Sequence, residues 1–71
     1  MKKEILAVDA IEAVTQYGLD LEFVQEQTVE ICMAAVIQNG LALQYVEHQN
    51  PEICFAAASQ NRFAIRYVKG C

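Results

Sequence analysis

The chain has 71 residues and a mass of 7.9 kDa, which is one small domain. Apolar residues make up 55% of it and charged residues 20%, a balance that excludes a disordered tail. Nine Asp and Glu against five Lys and Arg leave a net charge of −4, which argues against direct binding to nucleic acid.

No apolar run approaches the roughly 20 residues that a membrane-spanning helix needs. The opening Met1-Lys2-Lys3 resembles the start of a signal peptide, but the apolar run before Asp9 is too short for its hydrophobic segment. Three cysteines without a C-x-x-C pair favour a reducing compartment. The expected location is the cytoplasm, or a host cytosol if the chain is a secreted effector.

Three segments align without a gap. Ile11 to Val24, Met33 to Val46 and Phe55 to Val68 are each 22 residues from the next. Residues 29–46 and 51–68 are identical at ten of 18 positions, and 7–24 and 29–46 at seven, so the match is an internal repeat and not a shared composition. The expected repeats are 7–28, 29–50 and 51–71, within a single domain.

In the first copy, Tyr17-Gly18 marks a helix end. In the second, Thr28-Val29-Glu30 is a start signal, with Thr28 as cap and Glu30 at the positive end of the dipole. The helix is expected over Val29 to Gln38 and to end at Asn39-Gly40, glycine supplying a left-handed residue. Val29, Ile31, Cys32, Met33, Ala34, Ala35, Val36 and Ile37 make it apolar nearly all round, so it belongs in the centre. In the third copy, Asn50-Pro51-Glu52 starts a helix over Pro51 to Gln60, and Asn61-Arg62 ends it without a glycine. If position 62 were left-handed, Arg62→Gly would stabilise by about 1 kcal/mol.

The second half of each copy, such as Leu41 to Val46, alternates like a strand. Ala42, Gln44 and Ala64 favour a helix of about two turns instead. The fold expected is all-α: three stacked helix-pair repeats forming a miniature α-solenoid, with the Ala13, Ala35 and Ala57 column marking where helices approach closely.

The run Ala34-Ala35-Val36-Ile37-Gln38-Asn39-Gly40-Leu41-Ala42-Leu43-Gln44-Tyr45-Val46 resembles the A-A-V-x-Q-N-G-x-A-L-x-Y-V signature of a tandem-repeat domain of unknown function. That family is found in bacteria, pathogen effectors, protists and large viruses, usually as longer helical arrays. The resemblance covers residues 7–69 and is weakest in the first copy, where Tyr17 and Asp20 depart from the pattern. It implies a helical scaffold for macromolecular recognition and transfers no catalytic residue.

The residues themselves offer little chemistry. Cys32 and Cys54 share a repeat position, which puts them roughly 8–10 Å apart, too far for a bond, so both are expected as core thiols. Cys71 is expected to be mobile, with a capacity to link two chains on oxidation. His48 lies in a turn, and the ligand spacing of a zinc site is absent. Glu26 with Glu30, and Glu47 with Glu52, flank helix starts where acid is ordinary. Gln16, Gln38 and Gln60 are expected to bond to the turns, and Phe23, Tyr45 and Tyr67 to pack in the core. No enzyme, cofactor or metal site is expected.

Charge is asymmetric along the chain. Seven of the nine acids lie between Glu4 and Glu30, while Arg62, Arg66 and Lys69 lie in the last ten residues. One column reads Glu22, Gln44, Arg66 and another Gln25, Glu47, Lys69. Phe55, Phe63 and Ile65 stay apolar in the terminal copy, which invites burial by a partner. The function expected is stoichiometric binding of another protein, as adaptor or inhibitor, with a homodimer as a further possibility. The candidate contact residues are Glu22, Gln44, Arg62, Arg66 and Lys69. The alternative is an acidic nucleic-acid mimic using Glu4, Asp9, Glu12, Asp20, Glu22, Glu26 and Glu30.

Overall fold

A computed structural model describes residues 7–69. They form three pairs of helices: α1 Ala7–Gln16 with η1 Gly18–Phe23, α2 Val29–Gln38 with η2 Gly40–Tyr45, and α3 Pro51–Gln60 with η3 Arg62–Tyr67. The α elements are α-helices and the η elements are 3-10 helices. The chain is all-helical, as the sequence implies, and equivalent elements start 22 residues apart.

The starts of α2 and α3 follow from their caps. The Thr28 hydroxyl accepts the Ile31 N–H at 3.2 Å, and Asn50 Oδ1 accepts the Ile53 N–H at 2.8 Å, with Pro51 in the first turn. Both helices keep the predicted bounds. The second half of each pair is helical but tighter than an α-helix. Val46 N–H donates to Leu43 O at 3.1 Å and Val68 N–H to Ile65 O at 3.1 Å, the three-residue bonds of a 3-10 turn.

The turns between helices differ from expectation. No described residue has a positive φ, so neither Gly18 nor Gly40 is a left-handed cap, and neither is Arg62. Asn39 ends α2 in an extended conformation, φ −152° and ψ 109°, and Asn61 ends α3 at −152° and 111°. Each asparagine then caps the following 3-10 helix: Asn39 Oδ1 accepts the Leu41 N–H at 3.0 Å and Asn61 Oδ1 the Phe63 N–H at 2.9 Å. The stabilisation expected of Arg62→Gly loses its basis, because the backbone at 62 already suits an ordinary residue.

Glycine is needed for space instead. A Cβ built on Gly18 would lie 2.3 Å from the Ala35 carbonyl oxygen, and one on Gly40 2.4 Å from the Ala57 carbonyl oxygen. Each turn therefore sits directly against the C-terminal half of the next α-helix. Ala35 and Ala57 are fully buried there, so two members of the alanine column mark close approaches, whereas Ala13 is half-buried.

Packing runs between neighbours. α2 lies between α1 and α3, and η2 lies between η1 and η3; among the described residues α1 and α3 do not touch. The core threads through all three pairs, with Val14, Leu21, Val36, Leu43 and Ile53 its largest fully buried side chains. α2 contributes Ile31, Cys32, Ala35 and Val36, but its apolar residues Val29 and Ile37 remain exposed.

Cys32 is a buried free thiol, whereas Cys54 is disulfide-bonded, contrary to its expectation as a free core thiol. Cys71 lies outside the described residues.

Candidate interaction surface

The polar side chains repeated in the sequence are spent on joining the pairs. Gln38 Oε1 accepts the Gly18 N–H at 2.6 Å, and Gln60 Oε1 accepts the Gly40 N–H at 2.5 Å. The expected glutamine-to-turn bonds thus exist, but each reaches the turn of the preceding pair. They satisfy buried backbone donors that would otherwise cost about 1–3 kcal/mol each.

A second glutamine column escaped the sequence reading. Gln27 donates to Tyr45 O at 2.7 Å and accepts the Glu47 N–H at 3.0 Å. Gln49 donates to Tyr67 O at 2.8 Å and accepts the Lys69 N–H at 2.8 Å. The primary amide carries one donor and one acceptor edge, so it pairs with a peptide backbone as a neighbouring strand would. The signal in the sequence is two identical residues 22 apart.

Cys32 Sγ donates to Gln27 Oε1 at 3.5 Å. Burial first, and the Glu47 charge second, push this thiol above its ordinary range, so it stays protonated and weakly nucleophilic. Cys32 and exposed His48 line one hollow of about 50 Å³, too small for most substrates. In its disulfide, Cys54 Sγ has no proton to donate, and its 3.5 Å approach to Gln49 Oε1 is a packing contact. Among the described residues no group of three His, Cys, Asp or Glu side chains is close enough to hold a metal. Among them, too, no helix is long and apolar enough to cross a membrane.

The sequence-predicted contact residues are dispersed. Glu22, Arg62, Arg66 and Lys69 are exposed, but Gln44 is half-buried and donates to Leu41 O at 3.0 Å. Gln44 and Lys69 border an open hollow of about 340 Å³ whose other walls include Tyr45 and the Gln49 amide. Arg62 lies over the Phe63 ring, 5.8 Å from its centroid. Of the acids, Asp9, Glu12, Glu22, Glu26 and Glu30 are exposed and Asp20 is half-buried. Glu4 lies outside the described residues.

The marked asymmetry is apolar. Leu21, Leu43 and Ile65 are equivalent residues; the first two are 0% exposed and Ile65 is 63% exposed. Phe63, two residues before it, is 58% exposed, and Phe55 on α3 is 75% exposed. The helices that hold Leu21 and Leu43, η1 and η2, each pack against the next pair in the chain, and η3 has no such neighbour among the described residues.

A family model described as a domain of unknown function, DUF4116, matches residues 28–69. The chain belongs to the DUF4116 family. The match opens on Thr28, the cap of α2, and closes on Lys69, whose N–H is held by Gln49, so the matched DUF4116 region spans the second and third helix pairs with their caps. The first pair lies outside it and departs where Tyr17 replaces the asparagine: Tyr17 makes no side-chain cap to η1. No curated protein and no solved structure matches this DUF4116 chain.

Proposed function

We propose that the chain is a protein-interaction module, binding a partner protein stoichiometrically as adaptor or inhibitor. Its three helix pairs act as a miniature α-solenoid, a scaffold whose function lies in its surface. The observation that carries this reading is Ile65, 63% exposed where its two equivalents are fully buried. Covering a side chain of this kind contributes roughly 1–2 kcal/mol. Phe63 is exposed on the same 3-10 helix, and Arg62, Arg66 and Lys69 are the exposed cations nearest to Ile65 in sequence, so a partner with an apolar face and an acidic rim fits it best. Glu22 and Gln44, in the Arg66 column, extend the candidate surface.

The test places a photo-reactive residue at position 65 and, in a second chain, at position 26, both expressed in the native cell. The expected result is one dominant one-to-one conjugate from position 65, lost when Arg66→Glu is added. Equal labelling from both positions overturns the reading. A conjugate from position 26 alone, competed by DNA, supports an acidic mimic instead. A conjugate of two identical chains assigns the patch to a homodimer.

A further inference from the structure

The two internal interfaces of this fold are built alike, and the third pair departs from them at one decisive atom. At each interface a turn residue lies under the carbonyl of the alanine that follows 17 positions later: Gly18 under Ala35, Gly40 under Ala57. An added Cβ would stand 2.3 or 2.4 Å from that oxygen, a contact that real side chains do not make. The backbone leading into position 62 is the same as that leading into position 40, since Asn61 and Asn39 agree within 2° in φ and ψ. Yet position 62 is Arg, which has the Cβ that the other two lack.

We propose that Arg62 is a stacking stop: it prevents a second copy of this chain from docking its α1 on the third pair in the register of the internal interfaces. The remaining parts of such an interface are in place. Gln16 holds on α1 the position from which Gln38 and Gln60 receive their glycine N–H bonds. Ala13, equivalent to the buried Ala35 and Ala57, is only half-buried. Ile65 awaits the cover that Leu21 and Leu43 receive. Charge favours the encounter, with Asp9 and Glu12 exposed on α1 and Arg66 and Lys69 exposed at the other end. A head-to-tail contact of this kind does not close on itself and would grow into an open polymer. In the docked register, however, the Ala13 carbonyl of the incoming chain meets the Cβ of Arg62. Sequence adds a second departure: position 71, which follows Gln27 and Gln49 at the same 22-residue interval, is Cys and lacks their two-edged amide. The end face is thereby kept from self-stacking while its apolar residues stay accessible to a partner of different backbone shape.

The experiment compares wild type, Arg62→Gly and Arg62→Ala by sedimentation velocity over a concentration series, with circular dichroism to confirm the helical signal. Arg62→Gly is expected to associate, its weight-average mass climbing past that of a dimer as concentration rises. Gln16→Ala added to it weakens the association. Arg62→Ala, which keeps the Cβ and loses the charge, sediments like wild type. Excess wild type mixed with Arg62→Gly shortens the oligomers, because a wild-type chain can add through α1 but cannot be extended. An Arg62→Gly chain that does not associate overturns the proposal. So does association of Arg62→Ala to the same extent, which would make charge the barrier. Loss of the helical signal in Arg62→Gly also overturns it, since a stop at an exposed position is dispensable to folding.

Discussion

Gly40→Ala is the sharpest perturbation of the fold. The new Cβ would stand 2.4 Å from Ala57 O, 3.0 Å from Gln60 Oε1 and 3.1 Å from Asn61 Cβ, where ordinary contact begins near 3.4 Å. The nearest atom is backbone, so no rotamer relieves it; the third pair must retreat by about 1 Å from the second. Overpacking of this kind costs about 1–3 kcal/mol. The retreat also stretches the Gly40 N–H to Gln60 Oε1 bond, at about 1 kcal/mol or more for a buried donor. Against this, alanine restricts the unfolded chain and returns about 0.4–1 kcal/mol, because φ at 40 is not positive. The net loss is about 1–3.5 kcal/mol, which lowers the melting temperature of a domain this size by roughly 5–25 °C. Thermal melts followed by circular dichroism at low protein concentration measure it, with Gly18→Ala as the parallel case. A Gly40→Ala chain melting within a few degrees of wild type would refute the close-approach argument and return the glycine to a merely conformational role.

Gln49→Leu removes an amide that serves Tyr67 O and Lys69 N–H, and about 1–3 kcal/mol of stability should go with it. Amide exchange should show the loss first at Lys69, and unchanged protection there would contradict the assignment. Asn50→Ala deletes the α3 cap and should cost about 1 kcal/mol, read from a urea titration as a lower midpoint at constant slope. The Cys32 thiol is raised by burial and by Glu47, so the unfolded chain ionises first as pH rises. Its contribution to stability is complete below about pH 8.5 and is lost as pH climbs through the raised folded value. Cys32→Ser, which does not titrate there, should show a shallower fall in melting temperature between neutral and alkaline pH; identical slopes would remove the thiol from the account.

The helices were legible because their signals are local. Thr28 and Asn50 announce the starts of α2 and α3, and Asn39 and Asn61 their ends, within a few residues of the backbone groups they bind. The 22-residue interval likewise needs only the letters. Gly18 and Gly40 were misread because a glycine that frees a dihedral and a glycine that admits a neighbour are written the same way. The clue lay in the third copy, where Arg62 keeps the backbone and loses the neighbour. Gln27 and Gln49 were missed because their partners are 18 and 20 residues away, a distance that only the packed chain closes. The candidate surface was legible in outline. Arg62, Arg66, Phe63 and Ile65 were all singled out, but Gln44 has its amide bonded to Leu41 O within its own turn. The contrast between Ile65 and Leu43 depends on what lies beyond each residue and not on the residue itself.

Both glutamine columns tie a residue of one pair to the backbone of another at fixed separations of 18 and 20 positions. A single inserted or deleted residue between two pairs would throw the ties across that junction out of phase. The architecture can therefore lengthen or shorten by duplicating or excising whole modules, whereas small changes of length are confined to its outer ends.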